Sequence, residues 1–590
     1  MGLRLDAMKK EDKEPKTAVT VGTAPERPFR GYKIIIGILF LLFCVLLYKN
    51  ISYPLLWNDE TDTAMAAKQI LRYGYPKVHD GKNIMFLPEE PTWIGYKPAY
   101  DMNVAMTSGG FYFAAIGVFL ADQVEDMYLK SALVRVPFAT MGLFGLMIFV
   151  LSVKGLFPVR SEYYKFTAAF IFGELFSVSL FLHLREARYY SLVIFITGCF
   201  FYVFLKNVLH NGYTYKGYSV RMTGVLFVAY QINIVAFAAC CLTAGVYEAW
   251  RLVAAVVSRS GEKGNLLSVA RDELWTALRN VFPVLICFVL VVPFVMFYET
   301  VATAARATEH YGINSNRYIS QLQRMFYILG TQECLYPVLF VKMCALVVWR
   351  ATRDERREEE RRGRGLYSVS LFMTLFFVSF CVMVSKMPFL YTRYFIVLQP
   401  VMMLSVLTDL AIMFGYVTTH VSKRRMSMAR VALVVVLVVV VCFNGGGKIG
   451  RVADYLYQIT HQYRGPLDYL IPYIKENYGS PEKLVLATNY EELSYVFYLD
   501  CRVTLGYINK NLEEDLKYQP DLMIFRKGWG HDPKYFNQLL QKARYRRVSF
   551  PVFDSNVNNI AELDYVIQHQ FRTRLTDRES EKVDILVRVE

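Results

Sequence analysis

The chain has 590 residues, 54% of them hydrophobic and 15% aromatic, and its formal net charge is +15. This apolar content, with a positive mean hydropathy, exceeds what a soluble domain of this length carries, so a membrane protein is the starting expectation. Lys and Arg fall in short blocks between apolar runs rather than along one face, a distribution that sets topology in a bilayer and argues against nucleic-acid binding.

In chain order, residues 1–30 are polar and charged and read as a cytoplasmic N-terminal segment. Gly31 to Leu47 is the first apolar run; without a short basic lead-in or a small-residue cleavage site it reads as an uncleaved signal anchor. Clear runs recur at Leu133 to Val153, Phe282 to Phe297, Leu366 to Val384, Phe395 to Tyr416 and Val431 to Phe443. Less clean candidates are Val104 to Ala121, Phe166 to Leu182, Leu192 to Leu205, Met222 to Tyr247 and Leu335 to Trp349. Since about 20 apolar residues cross the hydrocarbon core, the expectation is about eleven transmembrane helices over residues 31–443. Most cysteines lie inside these runs, where they act as small hydrophobes; Cys334 and Cys501, outside them, are the two that could form a disulfide.

The basic blocks Lys154 to Lys165, Lys206 to Arg221, Arg251 to Arg279, Arg350 to Arg364 and Lys423 to Arg430 should lie in the cytoplasm. That assignment puts the loop 50–103 and the segment Glu299 to Gly330 on the external face, and requires Met222 to Tyr247 to enter and leave on one side. Gln231 and Asn233 at its middle suit a broken helix lining a cavity. After Phe443 the composition becomes ordinary, with strand-like KLVLATNY, RVTLGYI and DLMIFRK between helix-like PLDYLIPYIKENYG and PKYFNQLLQKARY. Residues 444–590 are therefore expected to form an extracytoplasmic α/β domain.

Five segments carry candidate chemistry. Trp57 to Pro76 follows the first span and holds Asp59, Glu60 and Asp62 at the start of a helical run ending at Gly74 and Pro76. A partly desolvated carboxylate there suits proton removal from an incoming hydroxyl; equally, Asp59 or Thr61 can cap the helix and Glu60 can favour its dipole. Lys97, in Gly95-Tyr-Lys-Pro-Ala99, can bind a phosphate as a point charge or simply snorkel. Arg185 and Arg188, in LREARYYS, sit directly against a span, where a charge must be paired or functional. Lys386 and Arg393, in KMPFLYTRY, are either phosphate ligands or interfacial anchors. The loop carrying Glu299, Arg306, Glu309, His310, Arg317 and Arg324 could close over a substrate.

The order of these features, with VRVPFA at Val134 to Ala139 and a late RYF, resembles the GT-C glycosyltransferases over residues 31 to 420. Within them it is most similar to the protein O-mannosyltransferase and lipid A aminoarabinose transferase group. The resemblance implies a polytopic α-helical fold and an inverting enzyme that moves a sugar from a polyprenyl-phosphate donor to an acceptor hydroxyl or phosphate on protein, lipid A or glycan. It implies Asp59 as general base, Glu60 as its catalytic neighbour positioning donor or acceptor, and Lys97 on the donor phosphate; Ala99 stands where the family commonly has a second proline. Arg185, Arg188, Arg393 and Lys386 join as phosphate candidates from charge and topology. The setting expected is a bacterial inner membrane. With these cations no metal is required, although Asp59, Glu60 and Asp62 together could hold Mg or Mn. A transporter or flippase would instead need charges near span midpoints, and a polymerase or ligase of lipid-linked glycans would share the substrates but not the Asp-Glu loop.

Overall fold

The computed structural model describes residues 30–85, 95–157, 159–177, 180–210, 212–259, 266–310, 315–351, 365–387, 390–420, 464–505, 515–526, 534–552 and 582–589, with isolated positions between 450 and 462 and residue 554. The N-terminal segment 1–29 and the run Val431 to Phe443 lie outside the described residues.

The helical part comprises α1 (Arg30–Tyr48), α2 (Asn58–Tyr73), α3 (Gly109–Ala121), α4 (Met127–Ser152), α5 (Arg160–Glu174), α6 (Leu180–Leu184), α7 (Tyr190–His210), α8 (Tyr215–Ile232), α9 (Ile234–Arg259) and α10 (Leu266–Phe297). It continues with α11 (Thr300–His310), α12 (Ser315–Gln332), α13 (Leu335–Ala351), α14 (Leu366–Val384) and α15 (Leu398–His420). Among the described residues seven helices are long and apolar enough to cross a membrane: α1, α4, α7, α9, α10, α14 and α15. An eighth appears if α12 and α13, bent by 90° at Cys334, count as one span. Of the eleven runs expected, Val431 to Phe443 lies outside the described residues, α3 has only 13 residues and α5 starts on the polar sequence RSEYYK; Met222 to Tyr247 is divided between α8 and α9, of which α9 is long and apolar enough.

The break expected within Met222 to Tyr247 falls at Asn233, whose backbone is extended and whose Oδ1 accepts from the Ala236 amide at 2.9 Å, starting α9 afresh. The core between the helices is aromatic: Phe201, Phe204, Tyr247, Phe372 and Phe376 pack edge-on and stacked. Small residues let α4 and α7 approach closely. A Cβ on Gly145 would lie 2.7 Å from the Phe195 backbone, and one on Gly198 2.9 Å from the Gly145 carbonyl, the close approach by which membrane helices pack without a hydrophobic driving force.

The C-terminal region is an α/β unit with helices α16 (Leu467–Asn477), α17 (Glu492–Leu499) and α18 (Lys534–Leu540). Strands β1 (Tyr96–Lys97) and β2 (Met102–Asn103) form a small hairpin in the first loop, while β3 (Val485–Thr488), β4 (Arg502–Leu505), β5 (Leu522–Ile524), β6 (Tyr545–Phe550) and β7 (Val583–Arg588) form one sheet in the order β4-β3-β5-β7-β6. β3 runs parallel to β4 and β5, and β7 antiparallel to β5 and β6. Strands β3, β4 and β5 and the helices α16 and α18 fall on the segments the sequence marks; α17 does not. Neither do β6 and β7, because charged residues interrupt YRRVSF and VDILVR, leaving only half-buried positions in β6 and two buried ones in β7.

This unit is fastened to the first loop. Asn83 donates to the Cys501 carbonyl at 2.9 Å and accepts from the Val503 amide at 2.8 Å, Tyr128 donates to Asp468 at 2.6 Å, and one apolar cluster joins Ala64, Phe111 and Phe138 to Leu470, Tyr495 and Val496. The loop and the domain therefore lie on the same side of the helical layer. Cys334 and Cys501 are both free thiols; the disulfide expected from sequence does not form.

Candidate functional site

The site is built where α2 starts. Its first turn is capped by Glu60, whose Oε2 accepts from the Trp57 amide at 3.4 Å, while Thr61 Oγ1 donates to the Trp57 and Asn58 carbonyls. Gly74, at φ 84°, closes the helix in the left-handed conformation that glycine adopts without steric cost. Asp59 is left out of the capping, and its carboxylate turns the other way.

Glu60 is fully buried. Arg135 of α4 grips it with two nitrogens, Nε on Oε1 at 2.7 Å and Nη2 on Oε2, and the Ala187 amide donates to Oε1 at 2.8 Å. Arg135 also donates to the carbonyls of Ile51 (3.1 Å), Pro54 (2.5 Å) and Leu55 (3.3 Å). The expected catalytic role of Glu60 does not match this geometry: both its oxygens are occupied, and they tie together the loop 51–57, α4 and the arginine-bearing segment 185–188. Arg135 is the residue that sequence reasoning missed. Its signal was present, since VRVPFA carries a guanidinium inside a helix long enough to span a membrane, and such a charge is costly unless paired.

Anchoring Ala187 brings its neighbours to Asp59. Arg188 donates to the Asp59 carbonyl at 2.9 Å and to Thr63 Oγ1 at 3.0 Å, and its guanidinium lies 3.7 Å from the Asp59 carboxylate and 3.5 Å from that of Asp62. Arg393, on a short 3-10 turn over Thr392–Phe395, reaches the same Asp59 oxygen at 3.3 Å and lies over the rings of Tyr391 and Trp57 at 4.2 and 5.2 Å. Asp59 thus sits between two guanidiniums with a quarter of its side chain still exposed. Asp62, one turn further along α2, has its pKa raised to about 6, chiefly by burial, against the pull of Arg188 and with a further push from Asp59.

Arg185 differs from its neighbours. It is 8% exposed, and among the described residues its guanidinium meets neither a hydrogen-bond acceptor nor a carboxylate. Burial, then the nearby positive charge of Arg135, lowers its pKa to about 9, with Glu60 opposing. At neutral pH it therefore remains a cation in a place where an unpaired charge is expensive.

Two predicted phosphate ligands lie elsewhere. Lys97 donates to the Phe297 carbonyl at 2.7 Å, sits 3.7 Å from Glu299 and covers the Phe297 ring at 4.7 Å, so it fastens the first loop to the end of α10. Lys386 is exposed at the end of α14 and touches none of these groups. The triad of carboxylates suggested for Mg or Mn does not converge either: Glu60 is committed to Arg135, and Asp59 and Asp62 already face guanidiniums. Among the described residues no cluster of three His, Cys, Asp or Glu is arranged to hold a metal.

A small cleft of about 30 Å³ lies beside Arg393, lined by Tyr189, Tyr190 and Val193 at the start of α7, Asn233 and Val235 at the α8–α9 break, and Phe380 and Val384 of α14. Arg393 and Tyr394 form its polar end. Apart from Asn233 the rest of its lining is aliphatic and aromatic, contributed by helices of membrane-spanning length.

No family model matches the sequence, and no curated protein matches it. Among solved structures, the chain is similar to ArnT from Cupriavidus metallidurans bound to undecaprenyl phosphate, at 12% identity and a TM-score of 0.48, covering 94% of this chain and 98% of that one. It is similar also to the apo state of the same protein, at 13% identity and a TM-score of 0.47, covering 93% and 97%. At this level of similarity no chemistry is carried across, and the functional reading rests on the residues themselves.

Proposed function

We propose that the protein is an inverting glycosyltransferase of GT-C type that takes a sugar from a polyprenyl phosphate and passes it to an acceptor hydroxyl or phosphate on the external side of the membrane. What supports this most is one arrangement: a carboxylate, Asp59, held between two guanidiniums, one of which, Arg393, also lines a small, largely apolar cleft between helices of membrane-spanning length.

In this reading the prenyl chain lies in the cleft, which widens to take it, and its phosphate displaces Asp59 from Arg393 and Arg188, while Arg185 supplies a third cation. Asp59, released from its ion pairs, takes the proton of the acceptor. The acceptor oxygen attacks the anomeric carbon as the bond from that carbon to the phosphate oxygen breaks, and the bonding pair leaves with the polyprenyl phosphate. The guanidiniums are in place before charge builds on the leaving group, and such preorganisation is usually the largest catalytic contribution. Glu60 acts by holding the arginine segment, not by touching substrate. The sugar and the acceptor are set by surfaces that this chemistry does not define.

One observation bears on the transporter alternative. Lys342 of α13 pairs with Asp409 of α15 at 2.7 Å and with Ser370 of α14 at 2.6 Å, and Ser370 donates to Asp409 at 2.6 Å. These are charges within the helical layer, but they are mutually satisfied and line no part of the cleft, so the triad reads as a staple between three helices.

The experiment is sugar transfer by purified protein from a polyprenyl-phosphate sugar, wild type against Asp59→Asn. The expected result is transfer by the wild type and a loss of at least about a hundredfold in the variant, the order contributed by general-base catalysis. An equal rate in both removes Asp59 from its role.

A further inference from the structure

We infer that Tyr498 and Ser494 of the C-terminal α/β domain are positioning residues for the Asp59 site, so that this domain is part of the catalytic centre; the inference rests on the glycosyltransferase reading for its kinetic test. The observation is the peptide group of Leu56, three residues before Asp59 and fully buried. Its amide donates to Tyr498 Oη at 2.9 Å, and its carbonyl accepts from Ser494 Oγ at 3.3 Å. Both partners lie on α17. The same two side chains reach onward: Tyr498 Oη bonds Ser131 Oγ of α4 at 2.7 Å, and Ser494 Oγ lies 3.3 Å from Thr61 Oγ1 in the first turn of α2.

The strand that delivers Asp59 is thus clamped from two sides. Arg135 holds the carbonyls of Ile51, Pro54 and Leu55 from the membrane helices, and α17 holds both polar groups of Leu56 from the domain. A buried backbone group without a partner costs far more than an ordinary hydrogen bond contributes, so the start of α2 cannot settle in this position unless α17 is docked. α17 is itself fixed by the sheet: Arg526, at the end of β5 and fully buried, bonds Glu491 just ahead of α17 and Asp554 at 2.5 Å. The path from the sheet to Asp59 is therefore Arg526, Glu491, α17, Leu56 and the first turn of α2, with every link a hydrogen bond or one helix.

The cleft and Arg393 take no part in this path, so the two halves of the site are separable. Removing the Tyr498 hydroxyl should displace Asp59 and leave the donor's chain and its contact with Arg393 intact. The test compares Tyr498→Phe and Ser494→Ala with wild type and with Asp500→Asn, which breaks only the exposed Lys68–Asp500 pair of the same interface. For the first two variants kcat should fall about 10–100-fold, the effect of a misplacement of about 1 Å. The donor KM and the Kd for polyprenyl phosphate should stay within about twofold of wild type, and amide exchange across residues 51–61 should speed up. Asp500→Asn should match wild type, since exposed pairs of this kind contribute little. Unchanged kcat with unchanged exchange in both variants overturns the inference, as does a raised donor KM at wild-type kcat. Exchange and lipid binding need no turnover, so they test the clamp even if the wild type transfers no sugar. If Tyr498→Phe does not fold, Ser494→Ala carries the test alone.

Discussion

Replacing Arg135 by Met should be the most damaging single change to the folded site. The substitution keeps the volume and the apolar stem but removes five hydrogen bonds: two to Glu60 and one each to the carbonyls of Ile51, Pro54 and Leu55. Glu60 stays fully buried, hydrogen-bonded by only the Ala187 and Trp57 amides and with its ion-pair partner gone, Arg185 being a nearby cation that does not bond it. Breaking a buried pair from one side costs about 3–5 kcal/mol, a large part of the 5–15 kcal/mol that typically holds a protein folded. The double variant Arg135→Met with Glu60→Met removes both charges and should be more stable than Arg135→Met alone, because the uncompensated carboxylate is gone. The assay is unfolding in detergent by denaturant or heat, followed through the tryptophans, among them Trp57 just ahead of α2 at the site and Trp250 within α9. A loss under about 1 kcal/mol for Arg135→Met, or a double variant weaker than the single one, would refute the reasoning.

Three further outcomes are expected. Arg185→Gln should weaken polyprenyl phosphate binding about 10–100-fold, the worth of a hydrogen bond to a charged group, while leaving the free protein as stable as wild type or more so; weaker binding with a less stable protein would mean that Arg185 serves the fold instead. Asp62, with its pKa raised to about 6, keeps its proton in the folded chain over a range where the unfolded chain has released it. The folded state then binds more protons between about pH 4 and 6, so the stability of wild type relative to Asp62→Asn should rise as pH falls through that window and level off outside it. A flat difference across the window counts against the burial of Asp62. Chelation of divalent cations should leave transfer within about twofold, since the carboxylates that would hold a metal face guanidiniums; abolished transfer, restored by Mg or Mn, would return a metal to the site.

The fold class could be read from the sequence because hydrophobic run length and a change to ordinary polarity are strong signals. The break at Asn233 was legible too, since Gln231 and Asn233 interrupt an apolar run where polar groups need partners. Two of the expected spans were not, because α3 and α5 are apolar enough to attract a window but α3 is short and α5 polar at one end. Asp59, Arg188 and Arg393 were legible as charges beside spans, and the structure brings them together at 3.3 to 3.7 Å. Lys97 and Lys386 carry the same local signal and lie apart from that cluster, because charge and loop membership do not encode which way a loop folds. Glu60 shows the limit most clearly. Beside Asp59 it looked equivalent, yet one step along a helix turns a side chain by about 100°, enough to send Glu60 to Arg135 and leave Asp59 facing Arg188 and Arg393. The partners of Leu56 lie more than 430 positions away in sequence, and no local pattern could reveal them.

The central claim is that the arginines around Asp59 receive the phosphate of a polyprenyl lipid. The direct measurement is the structure of the protein with polyprenyl phosphate bound, solved in a lipid nanodisc. The expected result is the phosphate within hydrogen-bond distance of Arg393 and Arg185, the chain between α7, α9 and α14 in the widened cleft, and the Asp59 carboxylate parted from Arg393. A phosphate bound elsewhere, with the Asp59–Arg393 pair intact, would contradict it.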